Sequence, residues 1–427
     1  MISELNIQIY VLLPFFAFSL VYLLNFREIN SYYVSSTNHS LEATKYLLSD
    51  SLPEIQIDKP DLRIEGSLKN HKKYVVIGAT LPRKPRQITY TWYIPVTARY
   101  WAYKGFLPLV FLAGNFSQWE SNILGSTARD ELRKIPGVVI VYFTCQVQHE
   151  VTLAQVVRIM GVGNMIDVSA AEDSYFITTD LDLWPLNIDR HILPENKQIL
   201  ITRALTDLSK CCSIGVALSC IGAKGKTWRE ITTFDDCNKN KTSPEYFERY
   251  CTEKGVMIHH KFITASKIRT VSNSAEKILD YASEFLGEHV RSSNEGKGFV
   301  SHETWFVDQQ LATILIRMWN ERNVKKGGNA RQTTVWYPKK VRRIHGGKHN
   351  AAYHKPSFNL SFWQDCHLKG GVEKRMLFER ELVPLMKYLL PAAEIDVISE
   401  YQKVFESKLP QWYNEYELIT NKNRLPY

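Results

Sequence analysis

The sequence predicts an α/β protein, with a mostly parallel central sheet, helices on both faces and one transmembrane helix in front. Three observations carry this. Continuous apolar runs alternate with helical patterns between residues 72 and 178, which is how strands buried on both faces read. No charged residue lies between Glu4 and Arg27. Of the 427 residues, 44% are hydrophobic, ample for a large core.

The elements follow in order. Residues 1–6 form a short tail, expected to be cytosolic. Residues 7–26, "IQIYVLLPFFAFSLVYLLNF", are long enough to cross a bilayer core as a helix, and lipid-embedded helices tolerate Pro14. A cleaved signal peptide would need a basic start and a small-residue cleavage site. Neither is present, so an uncleaved signal anchor is expected. Residues 27–70, polar and Ser/Asn-rich, read as a stem, and 71–427 as the folded domain, in two halves, 71–190 and 191–427.

Within the domain, strands are expected at 72–80, 107–115, 137–143 and 174–178, and helices at 88–106 (broken at Pro95), 126–135 and 150–161. "LPRKPRQ", 81–87, is a basic loop. Residues 213–231 suggest a strand and a loop leading to Trp228, Arg229 and Glu230. Further helices are expected near 274–287 and at 303–321, where Val307, Leu311, Ile314, Leu315 and Met318 share a face. A basic, Gly/His-rich stretch, 336–357, and "FWQDCHLKGG", 362–371, precede amphipathic helices that run to the end.

Sequons at Asn38, Asn115, Asn240 and Asn359 fit a lumenal body. Of the cysteines, Cys211, Cys212, Cys220, Cys237 and Cys251 cluster, and one or two disulfides are expected there in an oxidising compartment. The net charge of +9 suits anionic partners. Without a basic tail, zinc-finger spacing or basic heptads, nucleic acid is not among those expected.

The chemistry concentrates in "YFITTDLDLWPL", 175–186, where a buried strand ends in Asp180 and Asp182. Ligands of open α/β sheets bind beyond the carboxyl ends of strands. Two carboxylates at i and i+2 of an extended segment share a side and repel unless a cation lies between them. Hard oxygen ligands suit Mn²⁺ or Mg²⁺, which commonly bridge carboxylates to phosphates.

This arrangement resembles the DxD motif of GT-A glycosyltransferases, whose fold is a Rossmann-type sheet, and the anchor and stem resemble the build of type II Golgi membrane enzymes. The resemblance implies a nucleotide-sugar-binding half over 71–190 and an acceptor-binding half over 191–427. "QVVRIMG" is similar to the helix that reaches the donor in such families, which implicates Gln155 and Arg158. "ETWFVDQQL" resembles a W-x-x-DQ segment and implicates Asp308 near the acceptor or transferred sugar. "DCHL" resembles a late segment that supplies a third metal ligand, here His367, with His345, His349 and His354 as competitors. Arg342 and Arg343, with Lys339 and Lys340, are candidates to neutralise a diphosphate. The implied reaction is metal-dependent transfer of a sugar from a nucleotide-sugar, UDP-linked, to a hydroxyl of a glycan, glycoprotein or glycolipid. An inverting enzyme also needs a carboxylate base, for which Asp308 and then Glu230 are candidates; a retaining one does not. Two other readings stay open: a membrane-anchored carbohydrate-binding or adhesion protein with an inactive site, and a metal-dependent phosphohydrolase using Asp180 as nucleophile.

Overall fold

The computed structural model describes residues 62–166, 168–202, 220–232, 308–309, 311–312, 315–316, 319, 334–336, 342–345 and 358–422, all within one compact unit, Lys59–Tyr427. The segment 7–26, the helix expected near 274–287, Cys211, Cys212, Cys237, Cys251 and the sequons at Asn38 and Asn240 lie outside the described residues. Among the described residues no helix is long and apolar enough to cross a membrane.

The chain builds a mixed eight-stranded sheet. Its centre comprises β2 (Lys73–Thr80), β3 (Leu107–Ala113), β4 (Val139–Phe143) and β5 (Tyr175–Thr178), all parallel, in the order β4-β3-β2-β5. That is the 3-2-1-4 order of a doubly wound sheet, with its switch point between β2 and β5. Antiparallel pairing enters at both flanks. β1 (Leu62–Glu65) lies within residues read as stem, yet it pairs with β4 at the edge. On the other side β8 (Ile221–Lys224) pairs antiparallel to β5 and to β7 (Ile199–Ile201), and β9 (Thr334–Trp336) closes the order beside β7.

Alternation along β2 assigns its two faces. Val75, Ile77 and Ala79 enter one core, and Tyr74 and Val76 the other. The first core gathers α1 (Ile88–Tyr103), α2 (Phe116–Ser121), α3 (Ile123–Arg133), and later α6 (Val383–Leu389) and α7 (Ala392–Lys422). The second gathers α4 (Glu150–Asn164), α5 (Gly225–Thr232) and the helical residues Leu311, Ala312, Leu315, Ile316 and Trp319. Leu311 and Leu315 thus face the core as their spacing predicts; Val307, Ile314 and Met318 lie outside the described residues.

Two local expectations change. The helix expected to break at Pro95 continues through it. A proline inside a helix costs roughly 3 kcal/mol, but α1 buries Trp92, Tyr93, Ile94, Tyr100 and Trp101, each contributing roughly 1.5–3 kcal/mol. Packing therefore outweighs the missing hydrogen bond. The residues before Glu230 form the helix α5 rather than a loop, with Trp228 and Ile231 buried on one side.

A second sheet, of three strands, completes the site region. β6 (Leu183–Pro185) pairs antiparallel with β11 (Trp363–His367), which pairs parallel with β10 (Arg342–His345).

Candidate active site

At the end of β5 the chain changes sheets. Thr179 N–H still donates to Val76 O in the main sheet (3.1 Å), whereas Leu183 begins β6. The three residues between turn, with Leu183 N–H donating to Asp180 O at 3.3 Å. Asp180-Leu181-Asp182 is therefore a turn and not the extended segment expected, and its carboxylates take different partners. Trp184 and Pro185 follow in β6.

The turn is held rigidly. Thr97 Oγ1 on α1 donates to Leu181 O (2.5 Å) and accepts from Trp184 Nε1 (3.2 Å). Tyr100 stacks on Trp184 with ring centres 4.4 Å apart, and its hydroxyl donates to Pro185 O at 2.5 Å. Leu368 N–H donates to Asp182 O at 2.6 Å, which ties the turn to the strand that bears His367.

Asp180 is gripped by Arg158 of α4, whose Nη1 also donates to Thr179 O (3.1 Å). Nη2 of the same guanidinium donates to Asp308 Oδ2 at 2.5 Å. Arg158 thus joins Asp180 to Asp308. Burial pushes Asp180 up, but Arg158 outweighs it, with Arg343 and His367 adding to the pull, so this carboxyl lies below its ordinary value. Asp308 goes the other way. It is only 2% exposed, and burial dominates over Arg158, with Asp180 adding repulsion, raising it to about 6.

Asp182 accepts from His367 Nε2 at 3.1 Å. That hydrogen bond, with the charges of Asp182 and Asp180, raises His367 above the ordinary imidazole value. Two predicted ligands, Asp182 and His367, therefore meet directly across the junction of the sheets. Among the described residues no group of three or more His, Cys, Asp or Glu side chains stands ready to hold an ion. The guanidinium of Arg158 and the imidazole of His367 hold the carboxylates instead. By donor type the set fits: two carboxylates and an imidazole suit Mn²⁺.

Other expected residues fall in different places. Gln155 Oε1, one helical turn before Arg158, is buried with no hydrogen-bond partner, an acceptor that a ligand donor would satisfy. Arg343 is committed to Asp365 in a two-pronged pair, Nε–Oδ1 2.5 Å and Nη2–Oδ2 2.8 Å, both side chains largely buried. It acts on Asp180 through space rather than as an open diphosphate clamp. The Arg342 and His345 side chains, Lys339, Lys340, His349 and His354 lie outside the described residues. Glu230 is exposed on α5, where it accepts from Trp319 Nε1 (3.2 Å). Since β8 ends with Lys224 opposite Tyr175, α5 begins at the amino edge of β5, the edge away from Asp180. Cys220 and Cys366 are buried free thiols, so Cys220 is in no disulfide.

Two residues were missed. Tyr90, at the start of α1, is 38% exposed and its phenol feels the charges of Asp182 and Asp180. Arg83, in the basic loop after β2, pairs in two-pronged fashion with buried Glu150 of α4, at 3.1 and 2.7 Å. An aromatic shortly after a strand-end basic loop was the only sequence signal for Tyr90. Nothing local pairs Arg83 with a residue 67 positions away.

The site therefore has a rigid acidic turn at the switch point of a doubly wound sheet, an arginine shared between two acids and a histidine reaching in from a second sheet. No family model matches the chain, and no curated protein matches it either.

Proposed function

We propose that the protein is a GT-A-like, metal-dependent glycosyltransferase that moves a sugar from a UDP-linked donor to a hydroxyl of a glycan or glycoconjugate. The observation that carries this is the position of Asp180 and Asp182: a turn at the carboxyl edge of β5, beside the switch point, with His367 on Asp182. In this reading Asp180, Asp182 and His367 hold Mn²⁺ or Mg²⁺. The ion supplies Lewis-acid stabilisation of the departing diphosphate. Arg158 and Gln155 face the donor from α4. Asp308, raised to about 6, is mostly ionised at neutral pH and takes the proton of the acceptor hydroxyl if the enzyme inverts. In this reading residues 7–26 serve as a signal anchor that holds the body in the Golgi lumen.

A carbohydrate-binding protein without turnover is the second reading. Its support is that Arg158 and His367 already occupy the carboxylates that an ion would need. One experiment separates the two. A panel of nucleotide-sugars with Mn²⁺ is scored by free nucleotide released, beside calorimetry with UDP and Mn²⁺. The transferase reading expects metal-dependent binding and release, both lost in the Asp180→Ala, Asp182→Ala double variant. Glycan binding without release by the wild type establishes the second reading. Full activity in the double variant removes the turn from the mechanism.

A further inference from the structure

A second charged cluster lies on the same carboxyl edge of the sheet, at β4 instead of β5. Three strand spacings separate the two, roughly 14 Å. At its centre is Phe116, the first residue of α2. Arg63 from β1 stacks on the ring with its guanidinium carbon 3.5 Å from the centroid. Arg129 and Arg133, both from α3, lie 5.3 and 5.8 Å from the same centroid. Tyr142 of β4 meets the ring edge-on at 5.4 Å.

The ion pairs do not exhaust these cations. Arg133 is doubly bonded to Glu65, at 2.9 and 2.7 Å, and also reaches Asp130 at 3.3 Å. Arg63 shares Glu65 at 3.3 Å. Arg129 places Nε and Nη2 on Asp130, at 3.1 and 3.0 Å. Three guanidiniums against the carboxylates of Glu65 and Asp130 leave one positive charge. Two donors are also left over. Arg129 Nη1 and the Tyr142 hydroxyl are both buried and have no hydrogen-bond partner, although the Arg129 side chain is only 7% exposed. Buried donors without acceptors are costly, so two beside one uncompensated charge ask for an acceptor that is itself an anion.

We propose that this cluster is a second binding site, for a compact singly charged oxyanion of the carboxylate or sulfate-ester type, held by Arg129 Nη1 and the Tyr142 hydroxyl. Arg63, 51% exposed on the edge strand, is the part free to lift from Phe116 and close over the ligand. Planar guanidinium and phenol donors suit an oxyanion better than a lysine patch would, because their directions are fixed. Charge balance favours a single negative charge, which both carboxylates and sulfate esters carry. This inference does not depend on the transferase reading.

The test is calorimetry on the full chain with methyl sulfate in one arm and sodium acetate in the other, against sodium chloride at matched ionic strength. Saturable binding of one or both probes is expected, and the arm that binds more tightly names the source. Tyr142→Phe, which removes one hydroxyl, should weaken binding about 3- to 10-fold. Arg129→Met should weaken it at least about 10-fold, with thermal melting checking that it folds; should it not fold, Tyr142→Phe decides. The Asp180→Ala, Asp182→Ala variant should bind as the wild type does. No saturable heat with either probe overturns the proposal, as does unchanged affinity in Tyr142→Phe.

Discussion

Arg158 is the residue on which the two halves of the site converge. It is buried, bonded to Asp180 and Asp308 and to the Thr179 carbonyl, so its guanidinium has little room to turn. Asp308 pays for this company with a carboxyl raised to about 6, above the ordinary 3.8, by burial first and by Asp180 against the pull of Arg158. The sign follows from linkage. A carboxyl raised on folding binds its proton more tightly in the folded state, so its contribution is full below about pH 3.8 and is lost as pH rises to about 6. Asp308→Asn removes that dependence. Urea unfolding of wild type and variant at several pH values between 4 and 7 should show the wild type losing stability relative to the variant across this window. A constant difference would mean that Asp308 ionises normally. If Asp308 is the base, kcat should also rise through about pH 6 in the wild type, and this limb should vanish in the variant.

At the scale of elements, the placement of Arg158 depends on how closely α4 lies on β2. Gly78 of β2 makes this approach possible: a Cβ there would stand 1.8 Å from Ala154 O and 3.1 Å from Cγ of Arg158. Neither backbone can give way without lifting the helix. Gly78→Ala should therefore destabilise by roughly 1–3 kcal/mol or more, as overpacking does. It should also reduce donor binding by shifting Arg158. Chemical denaturation and UDP–Mn²⁺ calorimetry read the two effects separately, and an unchanged midpoint would show that the helix can retreat freely. The turn at 180–183 is also an element-scale matter. The end of the apolar run shows that β5 stops before Asp180, but the change of sheet at Leu183 depends on β11, which is some 180 residues away in the chain.

For the molecule as a whole, the C-terminal helix is part of the core. From α7, Ile398, Tyr401, Phe405 and Trp412 are buried in the same cluster as Trp92 and Trp101 of α1. Burial of each large side chain contributes about 1.5–3 kcal/mol, so losing four together removes about 6–12 kcal/mol. A domain holds only about 5–15 kcal/mol in all. A chain ending at Leu390 should accordingly fail to melt cooperatively in calorimetry, whereas a cooperative transition within a few degrees of the full chain would show that α7 is dispensable. The covered, mostly parallel sheet was legible in the sequence, because strands buried on both faces read as unbroken apolar runs, whereas its 3-2-1-4 strand order came from the structure. The flanking strands were harder to read. β1 is four residues long with only half-buried or exposed positions, and β7 and β9 have three residues each, too short for periodicity to register.

Local order in the chain suffices for some features: which runs are strands, that acids follow β5, that Asp308 and Arg158 occupy helices. These depend on neighbours within a few residues. Folding in three dimensions is what sets Arg158 between Asp180 and Asp308, binds Arg343 to Asp365, brings His367 to Asp182 and puts Glu230 at the opposite edge. Each of these pairings spans tens to hundreds of residues and is selected by burial. A charge taken out of water must find its opposite in whatever the fold brings near, and no spacing along the chain encodes that partner.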